Sequence, residues 1–182
     1  MNNSIRAQYE RFGARNYYER CGATYRNPHE PVIRRVLGEA VLTWRLDVHD
    51  VLDLACGSGE ATLALRDLGA ERITGIDAYT ASAFQERTGQ LAESMTFDQI
   101  AAGSLAGRRY SLIVCSFALH LVEPSRLPRL AMQLSTVGNA LLILSPHKRP
   151  IIKPEWGWHL DGELVRERVR ARCYRPMTEP AR

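Results

Sequence analysis

One short stretch constrains this 182-residue chain more than any other. Val51-Leu52-Asp53-Leu54 is an apolar run with a single acid in it, and it leads straight into Ala55-Cys56-Gly57-Ser58-Gly59. The run reads as a buried strand and the glycine-gapped segment as a tight turn. A helix is expected from about 60 to 68, with Gly69 placed to end it. Gly57 and Gly59 carry no Cβ, so a ligand can come close to the backbone there. The amides at the start of the next helix would face that ligand. Asp77 follows twenty residues after Gly57, at the end of a second expected strand, 72–77. An acid in that place can accept hydrogen bonds from ribose hydroxyls.

The rest of the chain continues the alternation. Asn27-Pro28-His29-Glu30 has the residue types of a helix start, with Asn27 as cap, although Pro31 can shift it by a residue. Val32, Ile33, Val36, Leu37, Ala40, Val41 and Trp44 then share one helical face. A helix is expected over 80–92, capped by Thr80. A third strand is expected at Met95-Thr96-Phe97, ending near Asp98. A fourth covers 110–116, a helix runs from about 125 to 136, and a fifth strand covers 140–144. Residues 5–20 also suit a helix. In the tail, Asp161-Gly162 reads as a hairpin turn. Beyond it Val169, Ala171 and Cys173 alternate with Arg168, Arg170 and Arg172, which predicts a half-exposed strand at the sheet edge guarded by arginines. The pattern is that of a single α/β domain with a mostly parallel sheet. We divide it into an N-terminal cover (1–45), a ligand-binding core (46–146) and a short C-terminal loop and hairpin (147–182).

Composition narrows the setting. No apolar run is long enough to span a membrane, and the first residues lack the basic-then-apolar pattern of a secretory signal. Cys21, Cys56, Cys115 and Cys173 are scattered without a metal-binding spacing, so neither a disulfide framework nor a metal site is expected, and the protein is expected to be cytoplasmic. Residues 1–45 hold eight arginines against four glutamates, and residues 147–182 hold nine basic residues against five acids. The middle is acidic, and the whole chain carries only +4. That is small for a nucleic-acid binder.

The aspartate in the turn discriminates between ligands. A dinucleotide site usually reads G-x-G-x-x-G, whereas Thr62 stands at the third glycine position. Asp53 would repel a pyrophosphate but suits a ligand bearing an ammonium and a sulfonium. Asp53-Leu54-Ala55-Cys56-Gly57-Ser58-Gly59 resembles motif I of the class I S-adenosylmethionine (SAM)-dependent methyltransferases, D/E-x-G-x-G-x-G, with Ala55 where glycine is commoner. The resemblance spans about residues 30–146 and implies a Rossmann-like, doubly wound sheet with helices on both faces. It implies SAM as cofactor and S-adenosylhomocysteine as product. It places Asp53, Ala55, Cys56, Gly57 and Gly59 at the cofactor's methionyl side and Asp77 at the ribose. Ala78 and Tyr79 fall near the adenosine, and Asp98, Gln99 and Ile100 in a loop holding the adenine. Ser116 and Phe117 line the methyl-transfer pocket. The Asn/Asp-Pro-Pro-Tyr/Phe motif of adenine and glutamine methyltransferases is missing after the fourth strand.

Other residues are candidates for the acceptor side. Tyr25 can cover the methionyl end, and His120, at the end of the fourth strand, can act as a base or orient the acceptor. His147 and Lys148 follow the fifth strand and can hold an anionic or carbonyl group. Trp156 and Trp158, two apart on a strand, would point the same way and can wall the pocket. The expected acceptor is a small molecule, with nucleic acid and protein acceptors left open. The short tail leaves room for a second copy to complete the site as a homodimer. A SAM-binding regulatory protein and an NAD(P)-dependent oxidoreductase are the rival readings.

Overall fold

The fold is organised by parallel strand pairing around β1 (Asp50–Leu54). On one side it pairs with β2 (Arg72–Ile76), and on the other with β3 (Leu112–Ser116). β3 in turn pairs in parallel with β4 (Leu141–Ser145). The computed structural model describes residues 22–177, so the helix expected over 5–20, with Tyr17 and Tyr18, lies outside the described residues, as does Cys21. A C-terminal hairpin, β5 (Trp158–Arg166) and β6 (Val169–Pro176), completes a six-stranded sheet in the order β2-β1-β3-β4-β6-β5. Only β6 and β5 run antiparallel to their neighbours. The chain moves outward from β1 to β2, then crosses back to β3. The crevice at that switch, beyond the strand ends, is where open α/β sheets bind ligands.

Both faces are covered, which explains the unbroken apolar runs of β3 and β4. Helix α1 (Glu30–Thr43) and helix α2 (Glu60–Asp67) pack Ile33, Leu37, Ala61 and Leu65 against Val51, Leu112, Val114 and Leu142. On the opposite face α5 (Leu127–Ser135) packs Leu127, Leu130 and Leu134 against Leu52, Leu54, Ile113 and Ile143. Helix α1 starts at Glu30 with His29 as cap residue. Asn27, expected as the cap, instead accepts the His29 amide on Oδ1 at 2.9 Å. Helix α3 (Ala81–Thr88) wedges Phe84 under Gly75, where a Cβ would stand 2.6 Å from the ring.

Three expectations are corrected. No strand forms at 95–97. Thr96 caps a short helix, α4 (Phe97–Ala101), through a reciprocal capping box with Gln99. On the side away from β1, the end of β2 is met only by the isolated bridge of Glu93 to Ile76 among the described residues. In the tail, Asp161-Gly162 is not the hairpin turn. β5 runs through it with a register shift, and Gly162 is needed because a Cβ there would sit 2.4 Å from the Trp44 indole nitrogen. The turn is Glu167-Arg168, both at left-handed φ (47° and 68°). That geometry gives the primed turn that matches strand twist. The edge strand is thus β5, and β6 is internal. Arg172 is accordingly buried rather than half-exposed. It donates to Glu163 at 2.6 Å and to the carbonyls of Lys148 and Pro150 at 2.7 and 2.9 Å.

Candidate cofactor and methyl-transfer site

A cavity of about 620 Å³ opens over the carboxyl ends of β1, β2 and β3, and the last residue of each strand, Leu54, Ile76 and Ser116, lies in its wall. The turn after β1 builds the floor. Ala55, Gly57 and Gly59 all take left-handed φ, at 57°, 59° and 88°. For Ala55 this costs strain that a glycine would avoid. Gly57 lies bare to the cavity, and a Cβ there would meet the Tyr25 ring at 3.2 Å and Glu60 Oε2 at 3.5 Å. Gly59 has a different reason to be glycine. It is missing from the cavity wall, and its Cβ would strike Thr88 Cγ2 at 2.4 Å. It lets α2 pack against α3 and does not touch the cavity, which corrects the ligand-approach role expected of it.

Two carboxylates give the floor its charge. Asp53 is 1% exposed. Its Oδ2 accepts the Thr62 hydroxyl at 2.6 Å, while its Oδ1 is buried with no hydrogen-bond partner. Burial pushes this carboxyl up to about 7; nearby Glu60 and Asp77 push the same way, against the Thr62 bond. Thr62, which replaces a dinucleotide-type glycine, therefore has a specific use. Glu60 is also buried. Its Oε1 accepts the Ser58 hydroxyl, the Asn27 amide at 2.9 Å and the Arg87 guanidinium at 3.2 Å. Glu60, with Asn27, was not anticipated, because both are brought to the wall by contacts far apart in sequence.

Asp77 stands across the cavity. Its Oδ1 accepts the amides of Tyr79 and Thr80 at 2.8 and 3.0 Å, and Oδ2 accepts the Gly57 amide at 3.2 Å. It ties the β1 and β2 loops together, and its oxygens keep lone pairs for a further donor. Ala78, Tyr79, Asp98 and Ile100 line the same cavity. Asp98 and Ile100 come from helix α4, not from a loop, and Asp98 is ion-paired with Arg126. Gln99 is turned away into the capping box and does not line the cavity. Also in the wall and not anticipated are Met95, Thr96, Phe97, Leu121, Val122, Glu123 and Arg126; Thr96…Gln99 was the readable sign of helix α4.

Beyond β3, Ser116 and Phe117 line the cavity. The Ser116 hydroxyl is buried without a partner, and Phe117 takes a left-handed φ of 57° and stacks on His29 at 5.2 Å. His120 does not line the cavity. It packs against His147, 4.6 Å between ring centroids, and its Nδ1 is buried without a partner. Burial, then the nearby His147, pushes it down to about 4, so it is neutral at pH 7. His147 and Lys148 lie outside the wall as well. The tryptophans do not form a pocket wall. Trp156 belongs to a 3₁₀ turn, Pro154–Trp156, and Trp158 is fully buried, donating to the Ala131 carbonyl at 2.8 Å. They sit on different elements, so the two-residue spacing does not align them. Among the described residues no group of three or more His, Cys, Asp or Glu is placed to hold a metal ion, and no helix is long and apolar enough to cross a membrane.

This arrangement fits a cationic nucleoside. A bare Gly57 cradle, an orphaned buried carboxylate oxygen on Asp53 and a second acid, Asp77, in the same wall are what such a ligand requires of the chain. Comparison with known proteins agrees. The methyltransferase-domain family matches residues 51–139. The uncharacterized protein C17A5.05c of Schizosaccharomyces pombe is 31% identical over 94% of this chain and 92% of its own. The chain belongs to the class I SAM-dependent methyltransferase family. The fold agrees with solved structures. Magnesium protoporphyrin IX methyltransferase from Synechocystis with bound SAM superposes with a TM-score of 0.59 at 16% identity, covering 96% of this chain and 98% of that one. The PH0226 protein of Pyrococcus horikoshii gives a TM-score of 0.64 at 13% identity, over 95% and 100%. SAM is the cofactor of this methyltransferase, and its chemistry is methyl transfer.

Proposed function

We propose that this methyltransferase moves the methyl group of SAM to a small molecule. The observation that carries the reading is the cavity itself. It lies over the strand ends between Tyr25 and Phe117, with Leu121, Val122, Met95 and Phe97 as apolar wall, and its volume of about 620 Å³ is that of a small-molecule site. The missing Pro-Pro motif after β3 supports the same reading, by disfavouring adenine or glutamine as acceptor.

The roles we assign follow the geometry. Ala55, Cys56 and Gly57 present backbone to the methionyl end, beside Asp53, and Tyr25 covers it. Asp77 holds the ribose, while Ala78, Tyr79, Asp98 and Ile100 surround the adenine. Ser116 and Phe117 face the reacting methyl. Gly59 and Gln99 shape these loops without touching the ligand. When bound, the cofactor supplies a methyl already activated by its positively charged sulfur. The chain's part is then to align the acceptor and exclude water. For an acceptor that extends past the cavity wall we assign His120, neutral and packed on His147, to orient it, and His147 and Lys148 to hold an anionic or carbonyl group.

Methyl-labelled SAM incubated with the protein and a fractionated cell extract tests the proposal. Label should pass into the low-molecular-weight fraction. Label recovered in protein or RNA would overturn the acceptor class. SAM binding with no label transferred to any fraction would favour a regulatory SAM-binding role.

A further inference from the structure

Residues 22–30 cross the mouth of the cavity as a strap fixed at several points. At one end Gly22 lies so close to Tyr79 that a Cβ would come within 2.3 Å of its carbonyl oxygen. In the middle the Tyr25 ring sits over Gly57. Arg26 pairs with Glu86 at 3.1 Å, the Asn27 amide donates to Glu60 Oε1 at 2.9 Å, and Glu30 pairs with Arg87 at 2.7 Å. Glu60 belongs both to this latch and to the cavity wall beside Asp53, as Tyr25 and Asn27 belong to both strap and wall. Its two oxygens are used unequally. Oε1 takes Ser58, Asn27 and Arg87, whereas Oε2 has no hydrogen-bond partner among the described residues. Yet Glu60 is 4% exposed, and Oε2 stands 3.5 Å from the point a Gly57 Cβ would occupy, on the spot the Tyr25 ring also touches. Next to it is the orphaned Asp53 Oδ1. One buried carboxylate oxygen without a donor, on Asp53, and one unbonded oxygen of Glu60 in the wall of the same cavity leave two acceptors that a bound cation would satisfy.

We propose that Glu60 is a positioning residue whose Oε2 recognises the α-ammonium group of the cofactor while its Oε1 holds the 22–30 strap closed over it. The inference rests on SAM being the cofactor and on Gly57 lying beneath its amino-acid end. Recognition and closure are then coupled. An amine at Oε2 fixes the Glu60 carboxylate in the rotamer that accepts the Asn27 amide, and a closed strap keeps water from the amine.

Calorimetric titration of the full chain with S-adenosylhomocysteine and with its des-amino analogue, on wild type and Glu60→Gln, reads the first half of the claim. Wild type should prefer the amine-bearing ligand by roughly 10- to 100-fold, the scale of a hydrogen bond between charged groups. Glu60→Gln should lose most of that preference yet bind the analogue as wild type does. Equal losses for both ligands, or an unchanged preference, would overturn the assignment. Amide hydrogen exchange at residues 22–30 of wild type reads the second half and needs no variant. S-adenosylhomocysteine should slow exchange there and the analogue should not; equal protection by both would overturn the coupling. A wild type that binds neither compound would overturn the cofactor reading along with this one.

Discussion

The cradle after β1 and the hairpin at the opposite edge of the sheet both bury charge, and they handle it in opposite ways. In the hairpin every acid is matched. Glu163 takes Arg170 and Arg172, Asp161 takes Arg175, and Glu167 takes Arg35, while Arg166 reaches back to Glu39. Even the buried Arg172 has a carboxylate and two carbonyls as partners. In the cradle Asp53 Oδ1 has none, and Asp53 shares its surroundings with two further acids, Glu60 and Asp77. Buried groups that close their own accounts hold an edge strand in place; buried groups left open need a ligand. The C-terminal arginines, which looked from the sequence like an edge guard, are mostly cross-strand partners and need no outside anion.

Breaking the hairpin side should cost stability and spare the ligand. Trp158→Ala removes the largest fully buried side chain and should cost about 3–5 kcal/mol in denaturant unfolding, with S-adenosylhomocysteine affinity unchanged in the fraction that stays folded. The cradle should respond the other way round. Gly57→Val forces a β-branched residue into left-handed φ and puts methyl groups where the ligand backbone contact belongs. It should cost about 1–3 kcal/mol of stability but abolish binding in the same titration.

Asp53→Asn sharpens the contrast, because it should stabilise the ligand-free protein. The folded-state carboxyl titrates near 7, well above its unfolded value, so its contribution is complete at low pH and is lost as pH rises through 7. Thermal stability of wild type should therefore fall from about pH 4 to pH 7, by up to a few kcal/mol, and level off above pH 8, a fall that Asp53→Asn should not show. Ligand binding reverses the sign. A cation beside Asp53 lowers its pKa, so binding releases a proton, and affinity for S-adenosylhomocysteine should rise from pH 6 to 8 in wild type and stay flat in the variant. A calorimetric heat that does not vary with buffer ionisation enthalpy at pH 7 would contradict this.

Asp77→Ala should lose roughly tenfold or more in affinity and also about 1–3 kcal/mol of stability, since three backbone amides lose their acceptor. Unchanged affinity would remove the ribose assignment. The smallest effect belongs to the outer hairpin, where Arg166→Ala breaks an exposed pair with Glu39 and should change stability by less than about 1 kcal/mol.

Sequence reading worked wherever local rules decide the outcome. The β1 turn was legible because a continuous apolar run, an acid and two glycines fall within nine residues, and Asp77 because strand spacing fixes its distance. Reading failed where one local signal overrides another or where a tertiary partner decides. Met95-Thr96-Phe97 has the β-branched and aromatic content of a strand, yet the capping box between Thr96 and Gln99 wins, and Ile100 and Ala101 then bury on a helical face. Gly162 looks like a turn glycine but is there for Trp44, while the true turn, Glu167-Arg168, carries neither Gly nor Asn. Trp158 was read as a pocket wall because nothing local announces that its indole donates to Ala131. Glu60 was passed over because its partners, Asn27 and Arg87, lie 33 and 27 residues away.

The central claim is that the open carboxylates of the cradle exist for a sulfonium nucleoside. Parallel titration of the purified chain with SAM, S-adenosylhomocysteine and NAD at pH 7 tests it most directly. The account predicts one saturable site for each of the first two compounds, with proton release, and no heat for NAD. Binding of NAD alone, or no response to any of the three, would contradict it.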